Sequence, residues 1–308
     1  MATPRYLGGQ AVVEGVMMRG ERSYAVAVRT PDGEIELEVR DAPSWADRWS
    51  RIPIARGIAS LAESLTLGFR ALTWSADRQL PEEERLSPRA MGWTIGGALI
   101  FFTALFVVIP TVVNQGFAGS LGLSGAASNI AEGAIRLAIF IGYLVLISLL
   151  PSIKRTFQYH GAEHKSIAAY ERGAALTPES AQQFTTEHVR CGTNFLLTVM
   201  VVTILVYAFI GHTSLLWMIT ARILLLPLIA GLAYEVIRFA AGHMEQHAVR
   251  VLMAPGLALQ RLTTRQPTLE QLEVGLASLR AVLSVEQLAE VDARPPRVPA
   301  GVARLSPA

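Results

Sequence analysis

Two histidines and a glutamate lie close together near the middle of the sequence. His160 and His164 are four residues apart, so a helix would place both side chains on one face, with Glu163 directly before the second histidine. The order H-x-x-E-H is that of the inverted zinc peptidases, in which two histidines hold the metal and the glutamate takes a proton from the reacting water. The segment therefore predicts zinc ligands at His160 and His164 and a general base at Glu163. The same short pattern also fits a membrane-surface helix whose polar side chains hydrogen-bond to neighbouring loops.

A catalytic zinc site needs a third protein ligand and one open position. Glu235 is the first candidate, because it lies 71 residues after His164 at the end of an apolar stretch, where an unpaired carboxylate is costly. A second hypothesis adds His188 and Cys191 to the two histidines. That set has four ligands and no open position, which is typical of a structural zinc site.

Simpler explanations exist for the same residues. Glu235 could pair with Arg238 or Lys154, and a lone buried cysteine such as Cys191 is most often a small apolar side chain. Gly161 directly follows the first histidine and weakens a helix by about 1 kcal/mol relative to alanine, which counts against peptidase chemistry. No stretch between the apolar segments is long enough for the soluble catalytic body of the inverted peptidases, so a hydrolase here would have a different fold.

The composition is that of a membrane protein. Of the 308 residues, 51% are hydrophobic and only 17% are charged, against about 25% charged in ordinary soluble domains. The formal net charge of +2 and the dispersed basic residues exclude a nucleic-acid binder by bulk charge. The single cysteine excludes an intrachain disulfide. Residues 1–20 lack an apolar core, so we expect no cleaved signal peptide and a cytoplasmic amino terminus.

Four stretches are long enough to cross a bilayer. A helix rises about 1.5 Å per residue, so about 20 apolar residues cross a hydrocarbon core of about 30 Å. The predicted spans are residues 91–113, 130–150, 192–211 and 214–234.

Basic residues in the connecting loops predict the orientation of these spans. Residues 114–129 and 211–213 contain no lysine or arginine, whereas residues 151–191 contain five. By the positive-inside rule, both termini and the 151–191 loop are cytoplasmic. The candidate zinc ligands then lie on one membrane face.

Arg222 lies within the fourth predicted span, where a charge is expensive and usually faces a partner inside the bundle. Glu132 in the second span is the natural partner. A structural ion pair is one role for Arg222, and a polar path for a substrate is another.

The predicted fold is a mainly α membrane protein with four transmembrane helices. Period-two alternation and a Pro-Asp-Gly turn predict short strands at the start of the chain, including a hairpin exposed to water on one face. Apolar residues at helical spacing predict an amphipathic helix with Leu65, Phe69 and Leu72 on its stripe. The predicted domains are a cytoplasmic β element (1–55), an amphipathic helix and linker (56–90), a four-span membrane domain with the motif loop 151–191 (91–234), cytoplasmic C-terminal helices with a break near Pro255 (235–290) and a disordered tail (291–308).

Five motifs in order resemble those of the YqhQ-like family of bacterial integral membrane proteins. They cover residues 8–20, 159–165, 188–193, 227–235 and 255–264. That family is catalogued as a domain of unknown function and is often labelled a metal-dependent enzyme. The resemblance implies a multi-pass protein of the bacterial plasma membrane.

Three functions follow as hypotheses. The first is a metal-dependent enzyme, most plausibly a zinc hydrolase, at the cytoplasmic membrane surface. The second is a non-catalytic scaffold or assembly factor that contacts a protein partner of the secretion or translation machinery, with a structural zinc. The third is a transporter, which the absence of repeat symmetry in the sequence disfavours. The lipid bilayer is a partner in all three, nucleic acid in none, and the oligomeric state is open.

Overall fold

A computed structural model describes residues 7–85, 87–208 and 214–294 of the chain. The strands are β1 (Gly8–Val12), β2 (Gly15–Arg19), β3 (Ser23–Arg29) and β4 (Ile35–Asp41). The α-helices are α1 (Ala55–Asp77), α2 (Pro88–Thr103), α3 (Ile109–Ser120), α4 (Gly125–Ser148), α5 (Pro151–Glu171), α6 (Pro178–Ala181), α7 (Gly192–Tyr207), α8 (Leu215–Ala241), α9 (His247–Thr263), α10 (Leu269–Ala281) and α11 (Val285–Asp292). A π-helical turn, Ala104–Val108, joins α2 to α3.

The predicted N-terminal β element is confirmed as one antiparallel sheet with the strand order β1-β2-β3-β4. Glu14 turns the chain between β1 and β2 with a φ of 52°, and Gly33 turns it between β3 and β4 with a φ of 90°. The second turn is the predicted Pro-Asp-Gly turn, where glycine adopts the left-handed conformation at little cost.

Helices cover this sheet on both faces. Ala25 and Ala27 of β3 belong to a core formed with α5 and α10, whereas Val26 and Val28 pack against Leu67 of α1. The prediction that this hairpin is exposed to water on one face is therefore wrong for β3. Only β4, at the edge of the sheet, is mostly exposed.

Within the described residues, three helices are long and apolar enough to cross a membrane. They are the continuous helix Arg89–Ala118, which includes α2, the π turn and most of α3, together with α4 and α8. These three correspond to the first, second and fourth predicted spans.

The third predicted span, residues 192–211, corresponds to α7, an apolar helix of 16 residues. At about 1.5 Å per residue such a helix is about 24 Å long, shorter than a hydrocarbon core of about 30 Å. The last three residues of the predicted span, 209–211, lie outside the described part of the chain.

The apolar stripe predicted on the first helix, which also includes Ile58 and Leu61, is packed only in part. In α1 the buried residues include Leu67 and Ala71, whereas Leu65, Phe69 and Leu72 are exposed. The helix packs through its small residues, because the sheet and α8 approach it closely on that side.

Two predictions for the C-terminal region are also changed. Helix α8 continues past the end of the last predicted span and ends at Ala241. Helix α9 then runs from His247 to Thr263 and passes through Pro255 without the predicted break. A side chain at Gly256 would meet Asn194 of α7, with 1.8 Å between the added Cβ and Asn194 Oδ1, so this glycine permits a close helix contact. Most of the predicted tail, residues 295–308, lies outside the described residues.

The core between the sheet, α5 and α10 allows a stability test. Leu272 is fully buried there, whereas Leu269, on the same helix, is 45% exposed. We expect Leu272→Ala to lower the free energy of unfolding by about 2–5 kcal/mol, because it removes buried methyl groups and leaves a cavity. Denaturant titration of the detergent-solubilised protein measures the loss, and Leu269→Ala is the control, with a change well below that. Equal effects of both substitutions would contradict this core.

Candidate metal centre

Three potential metal ligands come together at one end of α7. His160 and His164 lie one turn apart on α5, with 4.5 Å between their ring centroids. Cys191 immediately precedes α7, and its Sγ lies 3.4 Å from His160 Nε2. One ligand atom from each of the three residues lies within 4.8 Å of the other two. The structure thus brings the predicted histidine pair together with Cys191, which the sequence offered as a ligand in the second hypothesis.

Backbone carbonyls set the tautomer of both imidazoles. His160 Nδ1 lies 2.8 Å from the carbonyl oxygen of Thr263, and His164 Nδ1 contacts the carbonyl oxygen of Thr186. A carbonyl can only accept a hydrogen bond, so in the neutral imidazoles both Nδ1 atoms carry the proton and both Nε2 atoms have a free lone pair. This is the usual arrangement of metal-binding histidines, in which the second ring nitrogen donates to a fixed acceptor.

Burial keeps one of these histidines neutral. His164 is 2% exposed, and this burial lowers its pKa. The hydrogen bond with Cys191 opposes the lowering, and electrostatic interactions with His160 and His188 add to it. A neutral imidazole is the form that binds a metal. The pKa shift therefore favours ligation at neutral pH.

The start of α7 positions the cysteine. The Thr193 backbone N–H donates to Cys191 Sγ over 3.4 Å, and the Asn194 side chain donates to the carbonyl of Val189 over 2.9 Å. These two hydrogen bonds fix the start of α7 and, with it, the position of Cys191 Sγ.

Residues of α9 hold the segment that carries the cysteine. The fully buried Gln260 exchanges two hydrogen bonds of 2.8 Å with the backbone N–H and C=O of His188. Thr264 donates to the Thr186 hydroxyl over 3.3 Å. No role for the 255–264 motif was predicted from its residues. Its signal in the sequence is a glutamine followed by two threonines at helical spacing, three and four residues later.

A close approach of α5 to the chain beyond α9 explains the glycine in the motif. A Cβ at Gly161 would lie 2.0 Å from the Arg265 carbonyl oxygen, and the Arg265 N–H donates to the Phe157 carbonyl over 2.9 Å. Gly161 therefore weakens the isolated helix but is required by the packing beside His160. This contact explains why a glycine stands here despite its low helix propensity.

Glu163 is a buried carboxylate on the same helix, one turn after His160 and directly before His164. It is 6% exposed, and no hydrogen bond to its carboxylate is formed within the described residues. Burial raises its pKa, against the opposing effect of the positive charges of His160 and His188. Gly9 of β1 makes room for it, since a Cβ there would lie 2.7 Å from Glu163 Cγ.

Lys165 anchors the loop that orients His164. Its buried ammonium donates to the carbonyl oxygens of Gln182 and Phe184, each over 2.6 Å, and burial lowers its pKa to about 8. These bonds hold the chain two residues before Thr186, whose carbonyl accepts from His164.

Glu235 does not join the cluster. Its carboxylate accepts from Arg56 Nε over 2.7 Å and from the Ile54 backbone N–H over 3.2 Å. Close packing of α1 on α8, in which Gly57 abuts Tyr234, brings Arg56 to this glutamate. The pairing with Arg238 or Lys154 considered from the sequence is replaced by this ion pair.

His188 lies at the edge of the cluster. Its ring centroid is 5.6 Å from that of His164, while its Nε2 lies 3.5 Å from a carboxylate oxygen of Glu171. Glu171 also pairs with Arg190. The Nε2 atom of His188 is therefore engaged by Glu171 rather than by the cluster.

The fold and the cluster define a mainly helical protein that combines apolar helices of membrane-spanning length with a small sheet-and-helix body and a buried His–His–Cys centre. The sequence profile described as "Protein of unknown function (DUF1385)" matches residues 52–285, and the chain belongs to this family. It is 34% identical over 309 residues to "Uncharacterized protein YqhQ" of Bacillus subtilis (strain 168), across 95% of this chain and 96% of that protein. The resemblance to the YqhQ-like family is thus confirmed. No solved structure matches the chain.

The contact between Gly9 and Glu163 can be tested with a neighbouring glycine as the control. A Cβ at Gly8 would meet no atom within 4 Å. We expect Gly9→Ala to lower the free energy of unfolding by about 1–3 kcal/mol, because the added methyl group must displace a buried side chain. Gly8→Ala should have a much smaller effect in the same thermal or denaturant measurement. Unchanged stability in Gly9→Ala would mean that β1 and Glu163 are not in contact.

Proposed function

We propose that this chain is an integral membrane protein that binds one zinc ion through His160 Nε2, His164 Nε2 and Cys191 Sγ, and that Glu163 serves it as the general base of a hydrolase. The observation that carries the proposal is the convergence of three ligand atoms. Backbone carbonyls preset the tautomers of the two imidazoles, and the helix that carries both histidines also carries the buried Glu163.

The donor set suits zinc. Imidazole nitrogen and thiolate sulfur are the ligands that zinc prefers, whereas magnesium and calcium prefer oxygen. Three protein ligands leave one position open, as in catalytic zinc sites, and a bound zinc ion would supply Lewis acidity there.

Glu163 is the candidate general base. Its carboxylate is buried on the helix that carries both histidines, one turn after His160 and directly before His164, and it forms no hydrogen bond within the described residues. It can accept a proton from an attacking water and return that proton to the leaving group, so that the elements of water are added across the cleaved bond. Hydrolysis by this route needs no further reactant.

A non-catalytic scaffold with a structural zinc is the second candidate. The proximity of His188 to His164 favours it, because rotation of that imidazole would bring a fourth ligand to the cluster. The ion pair of His188 with Glu171 favours the three-ligand centre instead. The two candidates differ in whether His188 is needed to retain metal.

Elemental analysis of the detergent-purified protein tests the site. We expect about one zinc per chain, with loss of most of it in His160→Ala, His164→Ala and Cys191→Ala because each removes a ligand. His243→Ala is the control, since that exposed imidazole stacks on Phe239 away from the cluster.

Two further variants separate the candidate functions. Glu163→Gln and His188→Ala should both retain zinc, and Glu163→Gln should abolish turnover of any substrate that the wild type cleaves. Loss of zinc in His188→Ala would favour the structural site. Wild-type protein that is purified without zinc and cannot be reloaded with it would remove the proposal.

We further propose four membrane crossings with both termini in the cytoplasm. The sheet (residues 8–41) and α10 pack together in one core, so the segments before and after the membrane helices belong on the same side and the number of crossings is even. The 171–191 connection leads from this core into α7, and α8 leads back toward α9 and α10. If α8 crosses, α7 must therefore cross as well.

Reporter fusions in a bacterial host test this arrangement. Alkaline phosphatase fused after Gly122, between α3 and α4, should be active because that loop is exported and the enzyme forms its disulfides only outside the cytoplasm. The same reporter fused after Gly173, which follows α5, should be inactive. The reverse pattern, or activity at both positions, would contradict the orientation.

A further inference from the structure

The three membrane-length helices meet at a buried charged cluster. Glu132 of α4 pairs with Arg136 one turn later, over 2.6 Å, and with Arg222 of α8. All three side chains are at least nine-tenths buried. The predicted pair of Glu132 with Arg222 is therefore present, but the second arginine gives the cluster two positive charges and one negative charge.

The long first membrane helix contributes polar groups to the same cluster. The Phe106 carbonyl lies in the π turn, and proline at position 110 has no N–H to satisfy it in the helix. Arg136 Nε donates to this carbonyl over 2.8 Å. The Thr111 hydroxyl donates to Glu132 over 3.1 Å. The distortion of the helix thus supplies an acceptor to one guanidinium.

Tyr207, at the end of α7, packs between the two cations. Its ring centroid is 5.5 Å from the Arg136 guanidinium and 5.2 Å from that of Arg222. An aromatic face stabilises a cation but does not neutralise it. Within the described residues, Glu132 is the only carboxylate that pairs with either arginine, so one positive charge is left without a counter-ion.

Arg222 has donors left for a ligand. Its Nε is buried and has no hydrogen-bond partner among the described residues, and its described side-chain hydrogen bond goes to Glu132. The residue lies seven positions after the start of α8, about 10 Å along the helix at about 1.5 Å per residue. An uncompensated guanidinium at that depth is expensive for a structure that uses it only for packing.

We propose that this cluster is a binding site for one phosphate group, with Arg222 as its principal ligand. The planar guanidinium fork matches the oxygens of a phosphate and forms charge-assisted hydrogen bonds with them. A bound phosphate group would offset the excess positive charge and occupy the free donors of Arg222. The phosphate can belong to an anionic lipid or to a free ion in solution, and the site is separate from the proposed zinc centre.

Thermal unfolding in lipid nanodiscs separates these sources. Both series start from a reference without phosphate, the protein in nanodiscs of a phosphate-free glycolipid. One series adds increasing inorganic phosphate at constant ionic strength, and the other replaces part of the glycolipid by phosphatidylglycerol. We expect at least one of the two additions to raise the Tm of the wild type by several degrees, because a ligand that binds only the folded state stabilises it. A shift with inorganic phosphate identifies a free ion, and a shift with phosphatidylglycerol alone identifies a lipid.

Variants that remove a positive charge or a negative charge from the cluster make the test specific. Arg222→Gln leaves a matched Glu132–Arg136 pair and should weaken binding by about 10- to 100-fold, the loss expected for hydrogen bonds to a charged group. Glu132→Gln increases the excess positive charge and should tighten binding. Arg250→Gln, on the exposed face of α9, should retain the wild-type shift. Arg222→Lys keeps the charge but loses the planar fork, so its Tm shift should be smaller than that of the wild type. This variant replaces Arg222→Gln if the glutamine variant does not fold. Equal ligand shifts in the wild type and the Arg222 variants, or no shift in either series, would overturn the proposal.

Discussion

The packing of the N-terminal sheet on α5 and α10 is the constraint on which the rest of the structure depends. It joins the beginning, the middle and the end of the chain in one core, with apolar helices leaving from it and returning to it. Because α5 is part of this core, the helix face that carries His160 and His164 has a fixed direction. The same packing sets Gly9 of β1 against Glu163, and so the sheet serves the candidate site as well as the fold.

Around that face, main-chain groups do most of the positioning. The two imidazoles are oriented by carbonyls from the loop before α7 and from the end of α9, and Gln260 binds the backbone of His188. Backbone partners fix the orientation of an imidazole without adding charge, so no ionised side chain is needed to orient the two histidines. Three glycines, Gly9, Gly161 and Gly256, allow the close approaches that bring these carbonyls and side chains into range.

Helix α7 connects the two polar centres of the molecule. Cys191 precedes its first turn and Tyr207 ends it, so the candidate metal centre and the arginine cluster lie about 24 Å apart along the helix axis. The first centre is built from neutral ligands at the end of the apolar helices, and the second from charged side chains between them. Burial acts differently on the two, because a neutral imidazole can be buried at modest cost whereas a surplus guanidinium needs a counter-charge.

Features that depend on local spacing could be predicted from the sequence: the membrane-length apolar helices, the strand and turn pattern of the first 41 residues, and the histidine pair on one face of α5. The pairing of Glu132 with Arg222 could be predicted for another reason, because a charge inside an apolar helix needs a partner and few were available. Tertiary structure decided which distant segments meet. Glu235 is as suitable a ligand as Cys191 by residue type and distance along the chain, but Arg56 is packed against Glu235, and the start of α7 directs Cys191 to the histidines. The burial of both faces of β3 and the roles of Gly161 and Gln260 were decided in the same way. Periodicity describes one helix or strand at a time, whereas these outcomes depend on the shapes of the neighbouring elements.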